Sequence, residues 1–490
     1  MSAAFRLSAL AMSVTLAACA VGPDFKRPDT ATAARFARDA HPAAQPGAAL
    51  PDASADADAA FWRGFGDPAL TRLIDAALAA NLDLQVAVSR YDASAALLRE
   101  ARFDQIPTIT ANGQIGHQLM SKDQAFGAPR SQRDNPTSSV GINAAWELDL
   151  FGRVRRSIES QRAETAASAA DVRAVRVAIA GEVASTYVDL RGSQERLRIA
   201  RENAANQQQT LALINARVGA GRGSELDAAR ARAQYESTTS RIAVYEAAIG
   251  VDEHRLAVLT GQTPGALIGR LDAPAPLPAL AADLDPGTPG DLLRRRPDVA
   301  AAEARLHAAT ARVGVATADL FPRFTLSGLL GSATSSYGFF RAGSDTNLIA
   351  LGVDWSFLDV GRVRARIAAS DAQAAGQLAQ YRQTVLGALE ETENALLRVA
   401  RTREETVHLV RAADDSARAA QLAQARFSAG AIDYYEVLDV QRTLLQAQDA
   451  AADGRMRSAS ATVALYKALA GGWPSGTAQG AQGPLAQSAR

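Results

Sequence analysis

Trp146-Glu147-Leu148-Asp149-Leu150-Phe151-Gly152-Arg153 and Trp355-Ser356-Phe357-Leu358-Asp359-Val360-Gly361-Arg362 are two versions of one phrase, 209 positions apart. The likeness extends both ways. Upstream, Ile106-Pro107-Thr108-Ile109-Thr110-Ala111-Asn112-Gly113 matches Phe321-Pro322-Arg323-Phe324-Thr325-Leu326-Ser327-Gly328 at an offset of 215, and downstream Ala216-Arg217 with Gly221 matches Ala425-Arg426 with Gly430 at 209. The repeating unit is about 190 residues, far longer than a solenoid repeat, so it is half of one pseudo-symmetric fold. Between the two matched signals on each side, the hydrophobic period changes from two to that of a helix.

Before each Trp the period is two. Val140, Ile142, Ala144, Trp146, Leu148 and Leu150 alternate with polar or small residues, as do Ile109, Ala111, Gly113 and Ile115. In the second half Phe324, Leu326, Gly328 and Leu330 share one face of a strand, and Ile349, Leu351, Val353, Trp355 and Phe357 share a face of the next. Runs of about ten residues suit tilted strands that cross a bilayer; a pair of water-soluble hairpins is the plainer alternative. Four strands cannot close a barrel, for which about eight is the practical minimum, and lipid does not tolerate an open edge. The barrel must be shared between chains, eight strands in a dimer or twelve in a trimer, and a conduit requires the larger number.

After each Trp the pattern turns helical. All 19 prolines lie outside the spans 137–263 and 323–473, and an interior proline costs a helix about 3 kcal/mol. The spacing predicts long helices from Arg153 to Val218 and from Arg362 to Phe427, each about 100 Å. Returning helices follow from Glu225 to Leu259 and from Asp433 to Leu469, and shorter helices over 68–102 and 291–320 precede the strands. Alanine-rich seams suit close coiled-coil packing. Lys plus Arg and Asp plus Glu balance at 52 each, which gives no electrostatic case for nucleic acid.

The amino terminus is a targeting segment. Arg6, an apolar stretch too short to span a bilayer, and Leu16-Ala17-Ala18 before Cys19, the only cysteine of the chain, resemble a bacterial lipobox. That motif implies cleavage before Cys19 and N-acyl and S-diacylglycerol (palmitate-type) modification of it. Ala20 in place of an aspartate points to the outer membrane, and several acyl chains anchor stably where one is marginal.

Asp291-Leu292-Leu293-Arg294-Arg295-Arg296-Pro297-Asp298 with Ala318-Asp319-Leu320-Phe321-Pro322, the Tyr435-Glu436-Val437-Leu438-Asp439-Val440-Gln441-Arg442 stretch and Leu465-Tyr466-Lys467-Ala468-Leu469-Ala470-Gly471-Gly472-Trp473 together resemble an outer-membrane efflux lipoprotein of the OprM/NodT type, in the TolC-like outer-membrane factor family. The resemblance runs from about Cys19 to Trp473. It implies a mostly α chain with a transmembrane β portion: a homotrimer whose twelve-stranded β-barrel, four strands per chain, continues into a long α-helical coiled-coil periplasmic tunnel. The implied domains are a signal peptide, 1–18; an N-terminal arm and equatorial segment, 19–67; a first repeat, 68–261, with strands at about 106–118 and 138–150 and a helical hairpin over 153–260; a Pro-rich equatorial linker, 262–290; a second repeat, 291–471, with strands at about 323–333 and 346–358 and a hairpin over 362–470; and a tail, 472–490. The implied role is the passive exit duct of a tripartite pump in the cell outer membrane. Its implied partners are a periplasmic adaptor, an inner-membrane RND-type transporter and outer-membrane lipid. An outer duct for metal efflux or type I protein secretion, and a poreless coiled-coil scaffold, are the alternatives.

The same resemblance locates function at the helix turns. Arg426, Asp439 and Arg442 match positions linked to the constriction of the tunnel tip, and Phe427 stands where the best-known relatives carry Tyr. Threefold symmetry would make one inward Asp a ring of three carboxylates that draws cations; the plainer reading of Asp439 and Arg442 is a surface i,i+3 pair worth a few tenths of a kcal/mol. The turns carrying Gly219, Gly221, Gly223, Ala429 and Gly430 are the implied adaptor contacts. Gly219-Ala220-Gly221-Arg222-Gly223 joins helix to helix, not strand to helix, so it is a turn and not a phosphate loop. The histidines His41, His117, His254, His307 and His408 show no metal-ligand spacing. No nucleophile elbow, HExxH or Walker motif occurs, so the expectation is a protein that is not an enzyme and needs no cofactor beyond the lipid on Cys19. Trp146 and Trp355 suit either an aromatic girdle or ordinary packing.

Overall fold

The computed structural model describes residues 20–30, 33–37, 65–273, 275–278 and 287–469. Cys19, most of the arm, the linker residues 279–286 and the tail from 470 lie outside them. The elements in order are α1 (Pro68–Ala80), α2 (Leu82–Phe103), β1 (Thr108–Leu119), α3 (Arg130–Arg133), β2 (Asp134–Leu148), α4 (Arg153–Gly219), α5 (Glu225–Leu259), α6 (Pro289–Arg295), α7 (Pro297–Ala318), β3 (Arg323–Thr334), β4 (Asp345–Asp354), α8 (Val360–Ser428) and α9 (Tyr434–Ala468), with short 3-10 turns at Pro264–Leu267 and Phe357–Asp359. The contacts divide the chain into two compact units: Met1–Asp29, Ser89–Ala169 and Ala301–Gln383; and Thr30–Val88, Ala170–Ala300 and Thr384–Arg490.

The first unit holds one four-stranded antiparallel sheet in the order β1-β2-β3-β4. Residues directly opposite in an antiparallel pair share a face, so the register shows what each face carries. Ala111 sits opposite Ile142, Ile142 opposite Leu330, Leu326 opposite both Trp146 and Leu351, and Phe324 opposite Val353. One apolar face therefore runs across all four strands. Among the described residues nothing lies over it: Ile109 is 70% exposed, Leu330 69% and Ile349 85%. Thr110, Asn112 and Asn143 lie on the other face, where the Asn143 amide donates to Asn112 Oδ1 at 2.6 Å. Among the described residues β1 and β4 each have one neighbour, so both outer backbone edges of the sheet are unpaired there.

Strand ends and helix starts are tied by side chains. The Asp149 carboxylate accepts the Val154 and Arg155 backbone N–H groups at 3.0 and 2.9 Å, capping α4 directly after the strand. That turn ends β2 at Leu148, short of 150. At its other end β2 starts at Asp134, ahead of 138, because Arg133 donates to the Met120 and Ala128 carbonyls and closes the loop early. β4 stops at Asp354, not 358, since Phe357–Asp359 winds into a 3-10 turn, which removes Trp355 and Phe357 from the strand face. Both tryptophans do the same work. Trp146 Nε1–H donates to the Gln105 carbonyl and Trp355 Nε1–H to the Leu320 carbonyl, each at 3.0 Å. Each thereby satisfies a carbonyl just past the end of the helix that leads into its half of the sheet.

The second unit contains the largest buried core, in which Leu70, Ile74, Ala77, Val183, Tyr187, Leu190 and Leu256 pack together. Tyr187 donates to Asp67 Oδ2 at 2.6 Å and accepts from Arg191 Nε at 3.0 Å, and Asp67 in turn caps α1 through the Ala69 and Leu70 N–H groups. Burial, with the hydrogen bond to Asp67, pushes the Tyr187 phenol up to about 12. This string satisfies the polar groups of the core.

The helices expected over 68–102 and 291–320 are each broken, at Asn81 and Arg296, where the backbone is extended. For Arg296 the cause is Pro297, which disfavours the helical conformation in the residue before it. For Asn81 the side chain accepts the Asp83 and Leu84 N–H groups and restarts the helix as a cap. The two breaks serve one purpose. Asn81 Nδ2 donates to the carbonyl of Leu259, the last residue of α5, at 2.9 Å, and Arg296 Nη1 donates to the carbonyl of Ala468, the last residue of α9, at 2.7 Å. Each half thus bolts the end of its returning helix to a kink in its shorter one. Arg296 also holds Asp298 and Glu391, each at 2.7 Å. Arg296→Ala should lower stability by roughly 2 kcal/mol, since it removes charged hydrogen bonds from a buried site. Arg294→Ala, at a 66% exposed side chain, should change it little. Urea titration followed by helical circular dichroism reads the difference, and equal midpoints would contradict the role given to Arg296.

Candidate functional site at the helical turns

Both long helices end in the same way. After α4, Gly221 N–H donates to the Val218 carbonyl and Arg222 N–H to the Arg217 carbonyl; after α8, Gly430 N–H donates to Phe427 and Ala431 N–H to Arg426. This is the Schellman closure, with a glycine in the left-handed region: φ is +68° at Gly221 and +74° at Gly430. Gly223 is needed for a different reason, since a Cβ there would meet the Val218 backbone nitrogen at 2.9 Å, whereas at Gly219 a Cβ would meet nothing within 4 Å. The returning helices start on side-chain caps, Ser224 accepting from Leu226 N–H and Asp433 from Glu436 N–H. Ala429 lies in the second turn, exposed.

Beneath the turns the two hairpins share a small core of Ile214, Ala228, Ala231, Phe427, Tyr434, Val437 and Leu438. Phe427 is 4% exposed. Its ring lies 6.0 Å from that of Tyr434, and the Arg217 guanidinium sits over it at 4.4 Å. Phe427 thus makes a cation–π contact and is a packing residue, not a surface one. Burial, with the Asp227 carboxylate adding to it, pushes the Tyr434 phenol up to about 12, so it stays neutral.

The polar residues divide into one that binds and two that stay open. Arg442 Nε donates to Gln234 Oε1 at 2.9 Å, joining α9 of the second half to α5 of the first; it does not pair with Asp439 one turn away. Asp439 and Arg426 are exposed, and neither side chain has a hydrogen bond or ion pair among the described residues. Gln234 and Arg217 are partners that sequence reasoning missed. Gln234 is a 92% buried amide (8% exposed) in an otherwise ordinary helix, and only the pairing of the two halves reveals its partner. Farther along α9, Asp449 accepts from Arg196 Nε and Nη2 at 2.8 and 3.1 Å and from the Tyr245 hydroxyl at 2.8 Å. Burial opposes the charge on Asp449, but these bonds hold its carboxyl below the usual range.

A four-stranded sheet with an open edge on each side and an apolar face across all four strands, repeated long helical hairpins, and paired turns with a carboxylate nearby that has no partner among the described residues define the class of outer-membrane channel subunits. Comparison with known proteins makes this specific. Residues 73–262 and 288–471 each match the family described as outer membrane efflux protein, so each half of the duplication is matched separately. The chain is 32% identical to the outer membrane protein OprJ of Pseudomonas aeruginosa, over 96% of this chain and 97% of that one. It is 30% identical to nodulation protein T of Rhizobium leguminosarum bv. trifolii, over 94% and 96%. The outer-membrane channel OprN superposes with a TM-score of 0.84 at 38% identity, covering 93% of this chain and all of that one, and the open state of MtrE from Neisseria gonorrhoeae with 0.82 at 26%, covering 93% and 99%. The chain belongs to the outer membrane efflux protein family, in its OprM/NodT branch, and its place is the outer membrane.

Phe427→Ala should open a cavity under the turns and cost about 3 kcal/mol locally. Hydrogen exchange over 425–438 should speed up while the core around Tyr187 keeps its protection. Unchanged exchange at the turns would contradict the packing role of Phe427.

Proposed function

We propose that three copies of this chain form the outer-membrane exit duct of a tripartite, RND-type efflux pump, passing drugs or other small amphiphilic compounds from periplasm to exterior. The observation that carries this is the sheet: four strands, two open edges and an apolar face that runs across all four strands. In hydrocarbon each unpaired backbone group costs several kcal/mol. Edge pairing with further copies removes that cost, with the apolar face to lipid and the Thr110, Asn112 and Asn143 face to the lumen. Twelve strands leave a lumen that eight would fill with side chains. Relatives 32% identical to this chain are named as outer membrane proteins of solvent, toluene and antibiotic efflux pumps, which supports small amphiphilic cargo.

Energy enters at the inner-membrane transporter, and the duct's own task is to hold its tip closed until engaged. Arg442 and Gln234 latch the two hairpins, Phe427 supports the latch from below, and Asp439 and Arg426 are the free charges that a ring of copies presents at the constriction. The turns at Gly219, Gly221 and Gly223 and at Ala429 and Gly430 are the docking points for a periplasmic adaptor. Cys19 carries the lipid anchor, which a mass spectrum of the amino-terminal peptide reads directly; an unmodified Cys19 would remove it.

In planar bilayers, Asp439→Ala should raise single-channel conductance and reduce preference for cations over anions, because the ring loses three carboxylates. Conductance and selectivity equal to the parent protein would take Asp439 out of the constriction.

A further inference from the structure

The strand ends away from the helices carry two loops, 120–133 and 335–344, and each displays aromatic side chains to solvent. Phe126 is 97% exposed, Phe340 78% and Tyr337 62%, with Phe339 beside them at 40%. Neither loop is loosely held. In the first, Ser121 Oγ accepts the Gln124 N–H and Gln124 Oε1 accepts the Ser121 N–H, at 3.1 and 3.2 Å. Buried Arg133 then donates to the Met120 and Ala128 carbonyls on either side. In the second, buried Ser332 and Ser344 hydroxyls lie 2.7 Å apart, and Ser138 of β2 donates to the Ser336 carbonyl at 2.8 Å. Phe340 has a φ of +56°, the only positive value at a non-glycine residue in the chain's described part, and its N–H is held by Ser332 Oγ at 3.1 Å. A bulky residue in the left-handed region is held there only when its surroundings dictate it, and such strain gathers where a side chain must point in a fixed direction.

The loops flank opposite edges of the sheet. Loop 120–133 joins β1, one open edge, to β2; loop 335–344 joins β3 to β4, the other open edge. Pairing β4 of one copy with β1 of the next brings these loops side by side at every seam. We propose that Phe126 of one copy packs against Tyr337, Phe339 and Phe340 of its neighbour, forming an aromatic clasp at the rim of each intersubunit seam. The proposal rests on the oligomeric barrel put forward above and adds the residues that close its outer end. A second copy is the occupant because the edges that must pair carry these loops, and because fluid acyl chains do not require the fixed backbone that both loops supply. Edge-to-face or offset contact between such rings adds to the area they bury.

The test is site-specific photocrosslinking of the full-length protein in outer membranes, with Phe126→p-benzoylphenylalanine as the probe. The clasp predicts ultraviolet-dependent dimers and trimers in denaturing gels, with the crosslinked peptide inside 335–344 of a second chain. Phe340→Gly, which suits a positive φ and keeps the loop backbone, should sharply reduce that yield. Crosslinks confined to one chain, crosslinks to lipid, or none, in protein that is oligomeric by native mass spectrometry, overturn the clasp and leave the barrel standing. Protein that is monomeric in the same measurement overturns both.

Discussion

A backbone N–H or C=O facing hydrocarbon has no water to bind, and every strand edge is a row of such groups. In this chain the ladder is complete from β1 through β4 and stops on both sides. The apolar face has the same property in side-chain form, because none of the described residues covers it. Neither feature is closed in lipid by one chain alone, and the proposed assembly of three copies closes both. No described helix is long and apolar enough to cross a membrane.

Duplication supplies two hairpins of strands and two hairpins of helices from one plan, and the structure shows how literally the plan is reused. Trp146 and Trp355 close equivalent helix ends. Asn81 and Arg296 occupy equivalent breaks and bind equivalent last carbonyls with different chemistry. In the hairpin seams, bulk is exchanged: Tyr245 packs on Ala200 in the first half, while its counterpart Gly454 leaves room for Leu409 in the second, a Cβ there falling 2.7 Å from it. At the turns the halves diverge in charge. Phe427, Asp439 and Arg442 have Val218, Arg230 and Ala233 as counterparts. The divergence falls where two like hairpins must meet and where Arg442 needs a partner, Gln234, from the other half.

Much of this was legible in the residues. The period of two located the strands and their apolar face, because alternation and face are the same fact. Proline-free spans located the long helices, and glycines located the turns. The less legible features depend on partners remote in sequence. Asn81 sits in a helical pattern with no proline to mark the break, and its meaning comes from the Leu259 carbonyl 178 residues away. Arg296 had the proline signal, yet its partners on Ala468 and Glu391 gave none. Nothing near Phe427 in the sequence signals the Arg217 guanidinium that lies over its ring. For Arg442 the residues offer a constriction position by resemblance or a local pair with Asp439, and neither points to the buried amide 208 residues away that it binds.

The claim on which the account turns is that one chain cannot close its own sheet. Sedimentation equilibrium in density-matched detergent measures that most directly, by weighing the protein without the detergent around it. The account predicts a single species of three chains that persists on dilution. A stable monomer with intact strands and helices would contradict it.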